Sequence, residues 1–146
     1  MLDPIEFPRI KAEGFDRTSD PTPAYNCVAW AANDQARWWW PVGHDHSGHE
    51  AYWPKKAPRK NNLKAFTLAF KTLKYEQCKD GTFEKGFEKI AIYAIGTTPT
   101  HAARQLPDGK WTHKIGRNID ISTTLSSVEE GIYGKAVRFM KRKIPK

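Results

Sequence analysis

The run from Thr100 to Ile115 limits what this chain can fold into more than any other stretch. Two segments suited to β-strands, His101 to Leu106 and Lys110 to Ile115, flank Pro107-Asp108-Gly109. Pro, Asp and Gly in that order suit a type I turn completed by a left-handed glycine, the three-residue hairpin loop. That loop sets the register, pairing Leu106 with Lys110 and Ala103 with His113. His101, Ala103 and Gln105 then share a face with Trp111, His113 and Ile115, and His101 lies diagonal to His113 within side-chain reach. A two-residue Asp-Gly loop would send the histidines to opposite faces, so turn chemistry decides whether they cooperate.

The second fixed point is Tyr25-Asn26-Cys27-Val28-Ala29-Trp30-Ala31-Ala32. Asn26 is a good N-cap, and Ala29, Ala31, Ala32 and Gln35 favour a helix running to about Trp38 and stopping before Pro41. Cys27 then occupies the first turn. There the helix dipole and unpaired N–H groups lower a thiol pKa from about 8.5 and give a usable nucleophile. The Cys27 N–H, with Asn26 or Tyr25, suits a developing oxyanion. A packed core cysteine gives the same local pattern, so both readings stay open until a base is found.

Pro4, Pro8, Pro21 and Pro23 make residues 1–24 an extended segment that wraps the body, leaving residues 25–146 as one core. Trp38-Trp39-Trp40 cannot all face one core. With Tyr52 and Trp53 from the long Pro41–Pro58 loop, they are expected to form groove walls. His44, His46 and His49 in that loop have neither a cysteine ligand nor helical spacing, so a polar flap is preferred to a metal site.

Asn61 or Asn62 starts a second helix with Leu63, Phe66, Phe70 and Leu73 at helical spacing. Tyr75 to Cys78 reads as a short strand, and Glu88 to Ile95, apolar on both faces from Ile90, as a central strand. Asn118 to Ile121 leads to a short helix capped by Ser126 with Glu129 three residues on. Gly131, Tyr133 and Gly134 break the chain, and Lys135 to Lys143 reads as an edge strand.

At 146 residues the chain is of single-domain size. Two cysteines do not make a disulfide framework, and no run reaches transmembrane length. The N-terminus has no basic start or apolar core of a signal peptide, so a cytoplasmic protein without membrane attachment is expected, export by another route being left open. A net charge of +8 and a pI near 9.5 suit an anionic partner without choosing one. Lacking a groove-reading motif, specific nucleic-acid recognition is not expected; an acidic partner is compatible with the charge.

These residues carry a resemblance. A cysteine at a helix N-terminus, then a strand beginning with histidine, and a second polar residue twelve positions on across a glycine turn, is similar in layout to the papain-like NlpC/P60 and CHAP hydrolases. The stretch His101 to His113 looks like their histidine strand, turn and third-residue strand. Over most of its length the chain also resembles small uncharacterised bacterial proteins marked by Tyr25 to Ala31, Arg37 to Pro41, Tyr52 to Pro54 and His101 to Trp111. Asn26-Cys27-Val28 stands where those peptidases often carry an Asp/Ser-Cys-Ser/Ala lead.

The likeness implies an α+β papain-like fold, a nucleophile helix packed on a small antiparallel sheet. It implies attack by Cys27 on an acyl carbon of a peptide or peptide-like substrate, with His101 as base and then acid. His113 would orient His101, with Asp120 as rival for that role. Arg104 is a candidate substrate contact. The expectation is a cofactor-free cysteine peptidase or amidase; the alternative is a non-catalytic basic, aromatic-rich module binding nucleic acid or an acidic partner.

Overall fold

The computed structural model describes residues 5–45, 47–115 and 119–144. A mixed helix and sheet fold is built on one seven-stranded sheet whose neighbouring strands all pair antiparallel. The strands are β1 (Asp16–Arg17), β2 (Glu76–Cys78), β3 (Phe87–Ile95), β4 (Thr98–Gln105), β5 (Trp111–Lys114), β6 (Asp120–Thr123) and β7 (Lys135–Lys143). They lie in the order β1-β6-β5-β4-β3-β7-β2. The helices are α1 (Ile10–Glu13), α2 (Cys27–Ala31) and α3 (Leu63–Lys71). Among the described residues no helix is long and apolar enough to cross a membrane.

β3 is interior because its residues have somewhere to go on both sides. Ile90 and Ile92 join the α2 and α3 side, with Val28, Phe66 and Phe70, while Ala91 and Tyr93 join Phe7, Ile10, Trp111 and Ile121 on the other. The hairpin has the three-residue-loop register: Gln105 faces Trp111, Arg104 faces Thr112, and the Leu106 N–H donates to the Lys110 carbonyl at 2.7 Å.

Several elements differ from expectation. α2 stops at Ala31, well before Trp38, because Asn33 turns left-handed at φ 64° and the Asp34 N–H closes onto the Ala29 carbonyl at 2.8 Å. Asp34 then takes over, accepting from the Ala36 N–H, Arg37 and the Trp39 indole. β7 is a strand but lies inside the sheet between β3 and β2. The N-terminal segment is not simply wrapped chain, since β1 pairs with β6.

Ser126 caps nothing. It donates to Glu13, Thr124 Oγ1 accepts from the Ser127 N–H, and Glu129 instead receives the Ala136 N–H, leaving only a 3-10 turn over Ser126–Val128. Asn62 does cap α3, accepting from the Ala65 N–H at 2.8 Å.

Candidate functional site

Cys27 is the first residue of α2. Asn26 holds the turn by accepting from the Ala29 and Trp39 N–H groups at 3.1 and 3.0 Å and donating to the Trp39 carbonyl at 2.8 Å. Both polar atoms of its amide are thus committed to backbone. α2 packs on β4 and β5, where the Trp30 indole donates to Thr112 Oγ1 at 2.8 Å.

Among the described residues the β4–β5 ladder runs through Gln105 and Arg104. Beyond it, the Cys27 sulfur takes the Ala102 N–H, and the N–H groups of Val28 and Cys27 also point at it. Burial raises this thiol to about 11 despite those three donors, so it rests protonated. It is only 7% exposed, yet it lines a cleft of about 320 Å³ with Asn26, Trp38, Trp40, Thr100 and Tyr133.

One residue before Ala102, His101 leaves β4 on the other side of the sheet, in keeping with strand alternation. It is fully buried, with Tyr133 stacked on it at 4.0 Å and His113 parallel to it at 5.3 Å between centroids. His101 Nε2 lies 3.0 Å from His113 Nδ1, and His113 Nε2 lies 3.2 Å from the Thr124 carbonyl oxygen. Burial pushes His113 down to about 4 and His101 well below its ordinary 6.5, the latter helped by the neighbouring His113. Both rings are therefore neutral at pH 7.

Neutrality fixes the protons. A carbonyl only accepts, so His113 Nε2 carries its hydrogen and donates to Thr124. His113 Nδ1 is then a lone pair and accepts from His101 Nε2–H. His101 Nδ1 is left with a lone pair, buried and without a hydrogen-bond partner. No hydrogen bond joins it to the Cys27 sulfur, whose N–H contacts come from Ala102, Val28 and Cys27 itself.

The other expected residues are distributed differently. Asp120 does not touch the histidines; its Oδ2 accepts from the Tyr25 hydroxyl at 2.6 Å, across from buried Lys114, which lies 4.9 Å from the Tyr25 ring. Tyr25 is thereby turned away from an oxyanion role. Trp39 and Trp53 are core residues, because the Asp34 carboxylate and the Pro58 carbonyl satisfy their indole N–H groups and let them bury.

Tyr52 lines a different cleft, with Lys55 and Lys71, and Arg104 sits over the Trp30 ring at 5.2 Å. His44 edges the thiol cleft, His49 is held by Ser47 at 2.7 Å, and His46 lies outside the described residues. Among the described residues no group of three or more His, Cys, Asp or Glu is placed to hold a metal ion.

Tyr133 and Thr100 were missed from sequence. A bulge offsets Thr100, since β3 pairs Tyr93 with His101 but Ala94 with Pro99, and Thr100 Oγ1 donates to the Tyr133 carbonyl at 2.6 Å. Tyr133 is placed by glycines on either side. A Cβ on Gly131 would overlap the Glu6 carbonyl oxygen, and Gly134, at φ 72°, packs against the Ala94 carbonyl. Gly-x-Tyr-Gly was the available signal, read only as a chain break.

A family model for a domain of unknown function (DUF7689) matches residues 16–141. No curated protein and no solved structure matches the chain at a level that would indicate common descent.

Proposed function

We propose, for a chain that belongs to the DUF7689 family and takes no assigned reaction from it, that the protein is a thiol-dependent hydrolase of an amide or isopeptide bond, papain-like in its arrangement of nucleophile helix and sheet. The observation that carries this reading is the Thr124–His113–His101 hydrogen-bond chain. It ends on a buried imidazole lone pair without a partner, across β4 from the Cys27 sulfur, which takes the N–H of the next residue, Ala102.

In this reading the Cys27 thiol gives its proton to His101 Nδ1 as sulfur attacks the substrate carbonyl carbon. The imidazolium, steadied by His113 Nδ1, returns the proton to the departing amine as the carbon–nitrogen bond breaks. Water, losing a proton to the same nitrogen, cleaves the thioester, releasing the acid and restoring the thiol. Thiol and imidazole rest neutral on opposite sides of β4, and the transfer requires the His101 ring to turn past the bulge at Thr100 to the sulfur, a motion open to the free protein as well as to the substrate complex. Trp38, Trp40 and Tyr133 supply flat apolar walls for the group flanking the bond, consistent with a peptide-like substrate.

The test is the pH profile of iodoacetamide alkylation, mapped by mass spectrometry at Cys27 and Cys78 in one sample. Cys78, an intermediate-burial thiol raised by burial, serves as the ordinary reference, its rate rising about tenfold per pH unit below its pKa. Cys27 is expected to react at a nearly level rate between about pH 7 and 9, with proton transfer to His101 replacing free ionisation. His101→Ala should convert it to the Cys78 profile. A tenfold-per-unit rise at Cys27 in the parent protein, unchanged by His101→Ala, overturns the proposal.

A further inference from the structure

The excess charge of this chain is not spread over its surface. Between Ala51 and Tyr75 lie seven Lys and Arg and no Asp or Glu, against a net charge of +8 for the whole chain. Among the described residues only Arg59 of these seven has an acidic partner, Glu50 at 3.4 Å. The segment comprises α3 and the loop before it. It borders two adjoining clefts that share Leu73, one of about 700 Å³ lined by Lys55, Lys56 and Lys71, the other of about 520 Å³ lined by Lys74 and Lys143. Glu76 is the one acidic side chain lining either cleft. Glu13, Asp16, Asp20 and Glu129 belong to the N-terminal segment and the chain following β6.

The chemistry of this trough selects among polyanions. Its free cations are lysines, strongly hydrated point charges on flexible stems that suit phosphate oxygens in many geometries. Protein interfaces are depleted in lysine and use the planar arginine fork for carboxylates. The arginines nearby are already committed, Arg142 to Glu88 at 2.5 Å and Arg37 over the Tyr52 ring at 3.5 Å. Tyr52 has Arg37 on one face and Trp39 beside it, and Lys141 lies over Phe87. The two rings of the clefts, Tyr52 and Phe87, thus already carry a cation each, whereas a phosphate chain meets Lys55, Lys56 and Lys71 in one cleft and Lys74 and Lys143 in the other.

We infer that the trough formed by the Ala51–Lys74 segment and the end of β7 docks the phosphodiester backbone of a nucleic acid, without sequence preference. It is independent of the thiol cleft, so its failure would leave the hydrolase reading untouched, and the converse.

The experiment is fluorescence anisotropy of labelled DNA of about 20 nucleotides, single-stranded and duplex, across a salt series. Affinity should fall steeply with salt, with a logarithmic slope of about −3 to −4, and be the same for unrelated sequences. Lys55→Gln/Lys56→Gln/Lys71→Gln should weaken binding by about tenfold or more and reduce the slope by about one for each lysine removed. Lys11→Gln/Arg17→Gln/Lys110→Gln, which removes the same charge from α1, β1 and the hairpin, should stay within about twofold of the parent. All six side chains are exposed, so both variants are expected to fold, which thermal melts verify. Absence of binding at low salt, equal losses in the two variants, or tighter binding of poly-glutamate than of the oligonucleotide would each overturn the inference, the last making an acidic protein the occupant.

Discussion

The Tyr133 ring lies flat on the His101 imidazole, centroids 4.0 Å apart and planes within 5° of parallel. One residue thereby performs two tasks, walling the cleft over Cys27 and keeping water off the imidazole. Tyr133→Ala is expected to wet that ring and move the His101 pKa back up towards 6.5, as followed by NMR titration of the imidazole. The lost packing should cost about 3–5 kcal/mol in urea unfolding, whereas Tyr133→Phe keeps the stack and the low pKa. A His101 titration unmoved by Tyr133→Ala would show that the ring is sealed by something else.

Both histidines make stability depend on pH with a determined sign. Their folded-state pKa values are depressed while the unfolded values stay near 6.5, so the unfolded chain binds more protons in the interval between. Their contribution is complete above about pH 6.5 and is lost as pH falls through the depressed values, about 4 for His113, each imidazole giving a slope of about 1.4 kcal/mol per pH unit within its window. The carboxylates held low, such as Glu13 and Asp34, act on the acid side of this range. Urea midpoints should therefore decline between pH 6.5 and 5, and a His113→Asn variant should decline less. A flat profile in the parent protein would refute the neutral buried pair.

The hairpin register was legible because it depends on local chemistry: Pro107-Asp108-Gly109 favours the three-residue loop over a two-residue Asp-Gly turn, and that loop puts His101 and His113 on one face. The caps at Asn26 and Asn62 were legible for the same reason. Local signals failed where one particular hydrogen bond or close approach decides, whether the partner is three to five residues away, as for Asp34 and Trp53, or far along the chain, as for Tyr133. The length of α2 is set by Asp34 binding Arg37 and the Trp39 indole. Trp53 is buried because the Pro58 carbonyl takes its N–H, and Tyr133 reaches His101 only because Gly131 and Gly134 bring two backbones together. The side of the sheet from which sulfur and imidazole approach β4 follows from packing between α2 and the strands, which spacing along the chain does not encode.

Asn26 fixes both α2 and the strand-like turn at Trp39, so its amide joins the cysteine to the cleft wall. Asn26→Ala removes an N-cap and leaves the buried Trp39 N–H and carbonyl unpaired. The expected loss is about 2–4 kcal/mol by urea unfolding. Asn26→Asp keeps the acceptor but sets a carboxylate against the Trp39 carbonyl, and should recover only part of that loss. Equal stability of Asn26→Ala and the parent would mean that α2 is held by packing alone.

His113 decides which nitrogen of His101 is free to act. Its Nε2–H is claimed by the Thr124 carbonyl, so its Nδ1 can only accept, and this holds the His101 proton on Nε2. His113→Leu withdraws the acceptor. The buried Nε2–H is left unpaired at a cost of about 1–3 kcal/mol, and the proton becomes free to move to Nδ1, which would fill the lone pair that the thiol needs. Nitrogen NMR of selectively labelled histidine reads the tautomer directly and needs no substrate. The parent is expected to show the Nε2–H form of His101, His113→Leu a mixture, and His113→Asn, whose amide oxygen still accepts, a return towards the parent. The alkylation rate at Cys27 should track the Nε2–H population across the three proteins, because only that tautomer leaves Nδ1 able to take a proton. A parent His101 protonated on Nδ1 would place hydrogen where the mechanism requires a lone pair, and the hydrolase reading would then fail however close the sulfur lies.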